Sequence, residues 1–432
     1  MVNNTIQILG YDKSKPNGYD LIKGLVHRPE FTIADTLFST FISDRQQVTL
    51  EDVTPKDNVV LFPIQFLDPE DFTSKNLKTI LTKEVIDLIN EKSNNVYLFI
   101  WYPTEGFQLS LKKYKLLKEL KKFDDSKIID PYKILFVYGE LNFVETLNKV
   151  YKKKPELKTK IPYKKNFFAF NYFERSSSAY IHSKEYNTFK YQIQNKKLQH
   201  HFIYKNGNFR VGRLFVLCFM ALNDLLDKGL YSVLDTASMS DQFLEEQRFF
   251  HQLAPYTVDL RAYYKTYKKL HRRFPIVVDL PKSATSRTNK PVFPTEILDK
   301  CAVEIVVETH LDVDNDNSLN FTEKFFFPMI YKIPAIMLGP PKLYAYLRHK
   351  GYRSFPMLFD ESFANEPDVV ERTKKFALEL DRFTNKPLSE IQEIINSEEV
   401  KEILNWNYNL LRSEVNKEST LDKIFLNKFR YP

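Results

Sequence analysis

The sequence predicts an α/β protein built on parallel sheets, from three observations. Apolar runs of strand length recur along the chain. Amphipathic stretches of helical period separate them. The same alternation resumes after a basic, proline-containing segment in the middle. The first runs are Asn58–Pro63, Val96–Trp101 and Lys133–Tyr138. Each is apolar throughout and bounded by turn residues, as a strand buried on both faces requires. Between the first two, 79–92 carries Ile80, Leu81, Val85, Ile86, Leu88 and Ile89 at helical spacing. Between the second and third, 110–123 reads as a lysine-rich amphipathic helix.

Residues 149–165 are dense in lysine, carry Pro155 and Pro162, and lack strong periodicity. They read as a linker, giving domains at 1–150 and 166–400, a linker at 151–165 and a helical tail at 401–432. In the second domain, 166–171 and 201–204 read as strands. The stretch 213–226 reads as an apolar helix stopped by Asp227-Lys-Gly229. A strand at 302–308 precedes a helix at 322–331 that contains Pro328, and a strand at 334–339 precedes a helix at 342–350 that Gly351 stops. Two further helices are expected at 368–383 and 388–407.

Composition narrows the function classes. The 432 residues carry 63 Lys+Arg and 55 Asp+Glu, with 43% hydrophobic residues, which excludes a wholly disordered chain. Two cysteines, Cys218 and Cys301, are too few for a disulfide framework or a thiolate metal cage. No apolar run is long enough to span a membrane, and no signal-peptide pattern opens the sequence, so a cytoplasmic protein is expected. The excess of Phe, Tyr, Lys and Asn matches an AT-rich coding sequence and carries no functional weight. Gly-x-Gly-x-x-Gly, the P-loop, Gly-x-Ser-x-Gly and His-Glu-x-x-His are all absent from the sequence.

The informative stretch is Val303–Ser362. A β-branched strand ends in Glu308-Thr309, and Thr322-Glu323-Lys324 opens a helix. Pro334 precedes the next strand, and Leu347-Arg-His-Lys-Gly-Tyr352 forms a turn. Upstream, Arg210-Val-Gly-Arg213 opens an apolar helix that leads to Leu226-Asp-Lys-Gly229. This order of short motifs, over roughly Lys165 to Arg372, resembles the donor-binding domain of α-1,3-fucosyltransferase-like glycosyltransferases. It looks closest to their divergent bacteriophage-encoded members. The match departs at Gly212 and Phe327, where that family often has histidine and lysine, and its arginine cluster is reduced to Arg210 and Arg213.

The resemblance implies two facing Rossmann-like domains, the GT-B architecture, with the acceptor on the first and a nucleoside-diphosphate sugar on the second. It implies inverting transfer to a glycan or other hydroxyl acceptor without a required cofactor. Arg210, Arg213, Glu308, Thr322, Glu323 and Lys324 would bind the donor. The chemistry agrees: Arg213 and Lys324 supply fixed positive charge for a departing diphosphate. The helix start at Thr322 adds N–H donors, and Glu323 accepts from sugar hydroxyls. In the resembling enzymes a glutamate after a first-domain strand acts as general base. Glu105, in Trp101-Tyr-Pro-Thr-Glu-Gly106, stands at the corresponding strand edge.

Three competing readings remain. Asp312, Asp314, Asp316 and Glu323 nearly fit a twelve-residue calcium loop, but a strand precedes it where that motif needs a helix. The lysine-rich segment and Arg272-Arg273 would suit a transferase acting on modified bases of DNA, a partner the mild charge excess does not demand. A non-catalytic binding protein could also retain the fold.

Overall fold

The computed structural model describes residues 6–9, 45–48, 53–56, 58–65, 73, 75, 77–78, 81–102, 111–139, 143–169, 172–182, 195–206, 210–233, 243–276, 278, 295–308, 311 and 321–414. The chain is mixed α/β and divides into two compact units. The first carries β1 (Ile6–Leu9), β2 (Arg45–Val48), β3 (Val59–Gln65), β4 (Val96–Tyr102), β5 (Ile134–Tyr138) and β6 (Phe167–Ala169). They form one parallel sheet in the order β2-β1-β3-β4-β5-β6.

Register explains why three of these strands are apolar throughout. Val60 pairs with Val96 and Leu98 with Ile134, so Phe62, Ile64, Ile100 and Phe136 share their face. That face packs against α1 (Lys83–Asn90), α2 (Leu111–Asp125) and α3 (Phe143–Lys153) through Val85, Ile89, Leu117, Leu120, Phe143 and Leu147. Leu61, Phe99, Leu135 and Val137 on the opposite face are equally buried. Each such side chain contributes about 1.5–3 kcal/mol. Local chemistry sets the boundaries. Thr82 accepts from the Val85 N–H at 3.4 Å and starts α1. Asp130 accepts from the Tyr132 N–H and turns the chain into β5.

The expected linker differs from what is found. Residues 149–165 hold the end of α3, a 3-10 turn at Pro155–Leu157 and the short helix α4 (Tyr163–Asn166). They lead into β6, which pairs with β5, so the segment is a crossover inside the first unit. The prolines that suggested a linker instead start helical turns, where a missing N–H is harmless. The Asn166 amide donates to the Ile134 carbonyl at 2.8 Å, and the Lys160 N–H donates to Asp124 at 2.7 Å. The first unit reaches Ala179, within helix α5 (Tyr172–Ile181).

The second unit carries β7 (His200–Asn206), β8 (Gly229–Val233), β9 (Cys301–Val307) and β10 (Ala335–Leu338). They form a parallel sheet in the order β10-β9-β7-β8. All seven residues of β9 are buried, including Glu304, whose carboxylate pairs with Lys205 of β7 at 2.6 Å. Helix α6 (Val211–Leu222) joins β7 to β8 and is apolar almost all round, because it is buried almost all round. It ends at Asn223 and Asp224, the latter with φ 55, so the stop comes earlier than the expected Gly229. That glycine begins β8.

Helices α7 (Glu246–Leu253), α8 (Leu260–His271) and α9 (Thr295–Leu298) lie between β8 and β9. Helix α10 (Glu323–Ile330) joins β9 to β10 and runs through Pro328. Helix α11 (Leu343–Lys350) ends at Gly351, whose φ of 91 is the left-handed cap the sequence predicted. Helices α12 (Val369–Thr384), α13 (Leu388–Ile395) and α14 (Glu398–Ser413) complete the unit. The expected boundary at 400/401 falls inside α14, which packs on α10. Among the described residues, no helix is long and apolar enough to cross a membrane.

Candidate functional site

In the second sheet, β7 continues through α6 to β8 on one side, while its other neighbour, β9, continues through α10 to β10. The connections diverge between β7 and β9. In open parallel sheets the crevice beyond the carboxyl ends of two such strands is where ligands bind. The first sheet repeats the order, with its switch between β1 and β3.

The six residues expected to bind a donor gather at this edge of the second sheet. Arg210 is the N-cap of α6, is exposed, and makes no side-chain cap. Arg213, one turn later, is 3% exposed, and its Nε donates to the Val307 carbonyl at 2.9 Å. Burial lowers the Arg213 pKa. Tyr204 and Glu308 oppose that shift, Arg210 reinforces it and Glu323 opposes it, so these groups lie within electrostatic reach of one another.

Glu308 follows β9 and is buried, at 1% exposure. One carboxylate oxygen accepts from the Thr322 N–H at 3.1 Å and the other from the Thr322 hydroxyl at 2.8 Å. Thr322 is the N-cap of α10, yet its side chain bonds Glu308 and leaves the helix end uncapped. The Lys324 ammonium stands 3.3 Å from the hydroxyl of buried Thr322 and 2.6 Å from Glu323, with Lys324 and Glu323 half-buried. Lys324, Thr322 and Glu308 thus form one hydrogen-bonded chain from the surface into the unit.

Three residues that sequence reasoning did not assign hold or enter this edge. Arg372 is fully buried and donates to four backbone carbonyls. They are Gly339 at 3.0 Å, Glu366 at 2.6 Å, Pro367 at 3.1 Å and Leu311 at 2.5 Å. It ties the chain after β9 to the chain after β10. Leu311 in turn packs on Gly212, where an added Cβ would stand 2.4 Å from its Cδ1. A side chain at this position would have to displace the end of the Leu311 side chain. Asn206 ends β7 and is 2% exposed; the Tyr204 hydroxyl lies near its amide, but among the described residues neither polar atom of that amide has a partner with good hydrogen-bond geometry. Nearby Tyr204 donates instead to the Arg213 carbonyl at 3.4 Å. An orphaned buried amide at a strand end is the kind of group a ligand satisfies. The only sequence signal for it was its place at the strand-to-loop junction.

Glu105 and the acidic residues Asp312, Asp314 and Asp316 lie outside the described residues. Among the described residues, no group of three or more His, Cys, Asp or Glu is placed to hold a metal ion. No protein-family model matches the chain, and no curated protein or solved structure matches it either.

Proposed function

We propose that this protein is a glycosyltransferase that moves a sugar from a nucleoside-diphosphate sugar to an acceptor hydroxyl. The observation that carries the reading is the convergence of Arg210, Arg213, Glu308, Thr322, Glu323 and Lys324 at the β7/β9 switch point. Two parallel sheets of the same doubly wound order support two Rossmann-like domains of the GT-B type. In this reading the second unit binds the donor and the first binds the acceptor.

The reaction is a direct displacement. The acceptor oxygen forms a bond to the anomeric carbon as the bond from that carbon to the diphosphate oxygen breaks. The acceptor proton passes to a carboxylate, a role this reading gives to Glu105. The leaving electron pair stays on the diphosphate. Lys324 and Arg210 stabilise that charge at the surface, and buried Arg213 adds a fixed field from below. Glu308 acts through Thr322, holding the start of α10 and the base of Lys324 in place. Glu323 must release Lys324 as the diphosphate arrives, and its carboxylate is then available to sugar hydroxyls.

The test is a thermal-shift and calorimetric screen of nucleoside diphosphates and their sugars, with and without divalent cations. A ligand selective for the native state raises the melting temperature by mass action. One nucleotide class is expected to give a shift that Lys324→Ala removes without unfolding the protein. No shift with any nucleotide, or full turnover in Lys324→Ala, would overturn the reading.

A further inference from the structure

Beside the donor cluster, a cleft of about 620 Å³ lies between Arg210 and Val211 at the start of α6 and one face of α7. That size lies within the usual range for small-molecule sites. The α7 residues lining it are Gln247, Arg248, His251 and Gln252. They occupy one helical face by their spacing, while Phe249 on the other side is buried against Tyr264 and Tyr267. Among the described residues, the side chains of Arg210, Gln247, His251 and Gln252 make no hydrogen bond or ion pair. Arg248 pairs with Glu245 at 3.1 Å, with both side chains mostly exposed, so the pair is weak and exchangeable.

We propose that this cleft is a binding site for an anionic sugar, a hydroxyl-rich ring bearing a carboxylate or a phosphate. Arg210 and Arg248 are fork-shaped donors suited to either anion. Arg210 also sits within reach of buried Arg213, a like charge that an anion in the cleft would offset. Gln247 and Gln252 each offer a donor and an acceptor, which matches hydroxyl groups that are themselves both. Among the described residues lining the cleft, Phe243 is buried at 2% exposure, so the exposed lining is polar, with the His251 imidazole as its ring. The cleft therefore favours a polar ring. The inference goes beyond the transferase reading and does not depend on it.

The test is isothermal titration of the full chain, at low salt, with glucose 6-phosphate, glucuronate, glucose and inorganic phosphate. Glucose 6-phosphate or glucuronate is expected to bind, and the tighter of the two identifies the anion. Arg248→Ala and Gln252→Leu, both at exposed positions, should each weaken that binding, the arginine variant at least tenfold. Binding of neither sugar anion would overturn the proposal, as would unchanged affinity in Arg248→Ala. Inorganic phosphate binding as tightly as the sugar phosphate would reduce the cleft to a bare anion site and overturn the sugar assignment. Nucleoside diphosphate binding should persist in Arg248→Ala and be lost in Lys324→Ala, so this proposal and the transferase reading fail separately.

Discussion

Replacing Glu308 with glutamine tests whether this carboxylate anchors the edge of the second sheet. The wild-type group accepts two hydrogen bonds from one residue, at 3.1 and 2.8 Å, while buried beside Arg213. Glutamine offers one acceptor oxygen, and its NH₂ must face the other Thr322 donor. The hydroxyl can rotate to accept, but the backbone N–H cannot. One hydrogen bond to a charged group is worth about 1.5–3 kcal/mol. Weakening the favourable field of Glu308 on buried Arg213 adds to that loss. Partial recovery through the hydroxyl brings the expected loss to about 3 kcal/mol. For a domain of this size that corresponds to a fall in Tm of about 6–12 °C.

The assay is urea unfolding at pH 7. The two tryptophans, Trp101 and Trp406, fall in different units, so a Trp101→Phe background makes Trp406 fluorescence report the second unit alone. Trp406 is anchored there by a 2.7 Å bond to the Gly351 carbonyl and by stacking on Arg353. Adding Thr322→Val completes a double-mutant cycle with an expected coupling of about 1.5–3 kcal/mol. A loss below about 1 kcal/mol in Glu308→Gln, or no coupling to Thr322, would refute the structural role.

Other positions give independent expectations. Asn206→Leu removes an amide that has no well-formed hydrogen bond among the described residues, so stability should hold or rise by about 1–2 kcal/mol in the same assay; a loss above about 1 kcal/mol would show that the amide is bonded. Gly212→Ala should destabilise by no more than about 1 kcal/mol, because its Cβ meets only the flexible end of the Leu311 side chain and alanine favours the helix, and Leu311→Val should reduce that loss. Burial lowers the Lys196 pKa from its ordinary 10.5 to about 8, so between those values the unfolded chain binds the extra proton and stability rises with pH, by about 3 kcal/mol in all. Lys196→Met should flatten that rise, and an unchanged profile would count against the shift.

What the sequence revealed follows from burial. β3, β4, β5, β9 and β10 were legible because strands covered on both faces leave unbroken apolar runs. β8 was not, since it is an edge strand whose first three residues are only half-buried, and glycine and serine dilute its signal. The basic crossover looked like a linker because its lysines are solvated while Leu157, Thr159 and Ile161 make the contacts. Gly351 was readable because a left-handed cap is a local requirement. The Glu308–Thr322 clamp was not, because it joins residues fourteen apart through a tertiary contact. The burial of Arg213 was not legible for the same reason: nothing local marks a guanidinium as buried.

These differences change how the charges at the site must be understood. Most are already committed inside the protein: Glu308 to Thr322, Arg213 to the Val307 carbonyl, and Lys324 to Glu323. Arg210 is the exception, exposed and without a carboxylate partner among the described residues. An anion approaching the β7/β9 edge therefore meets Arg210 first and reaches Lys324 only by displacing Glu323. The Lys324–Glu323 pair is half-buried, so under the proposed function exchanging one carboxylate for a diphosphate would replace one set of charge-assisted bonds with another instead of desolvating a bare ion. Buried Glu308 and Arg213 stay fixed during that exchange. Affinity at this edge should then depend on Arg210 and Lys324, while its geometry depends on Glu308, Thr322 and Arg372.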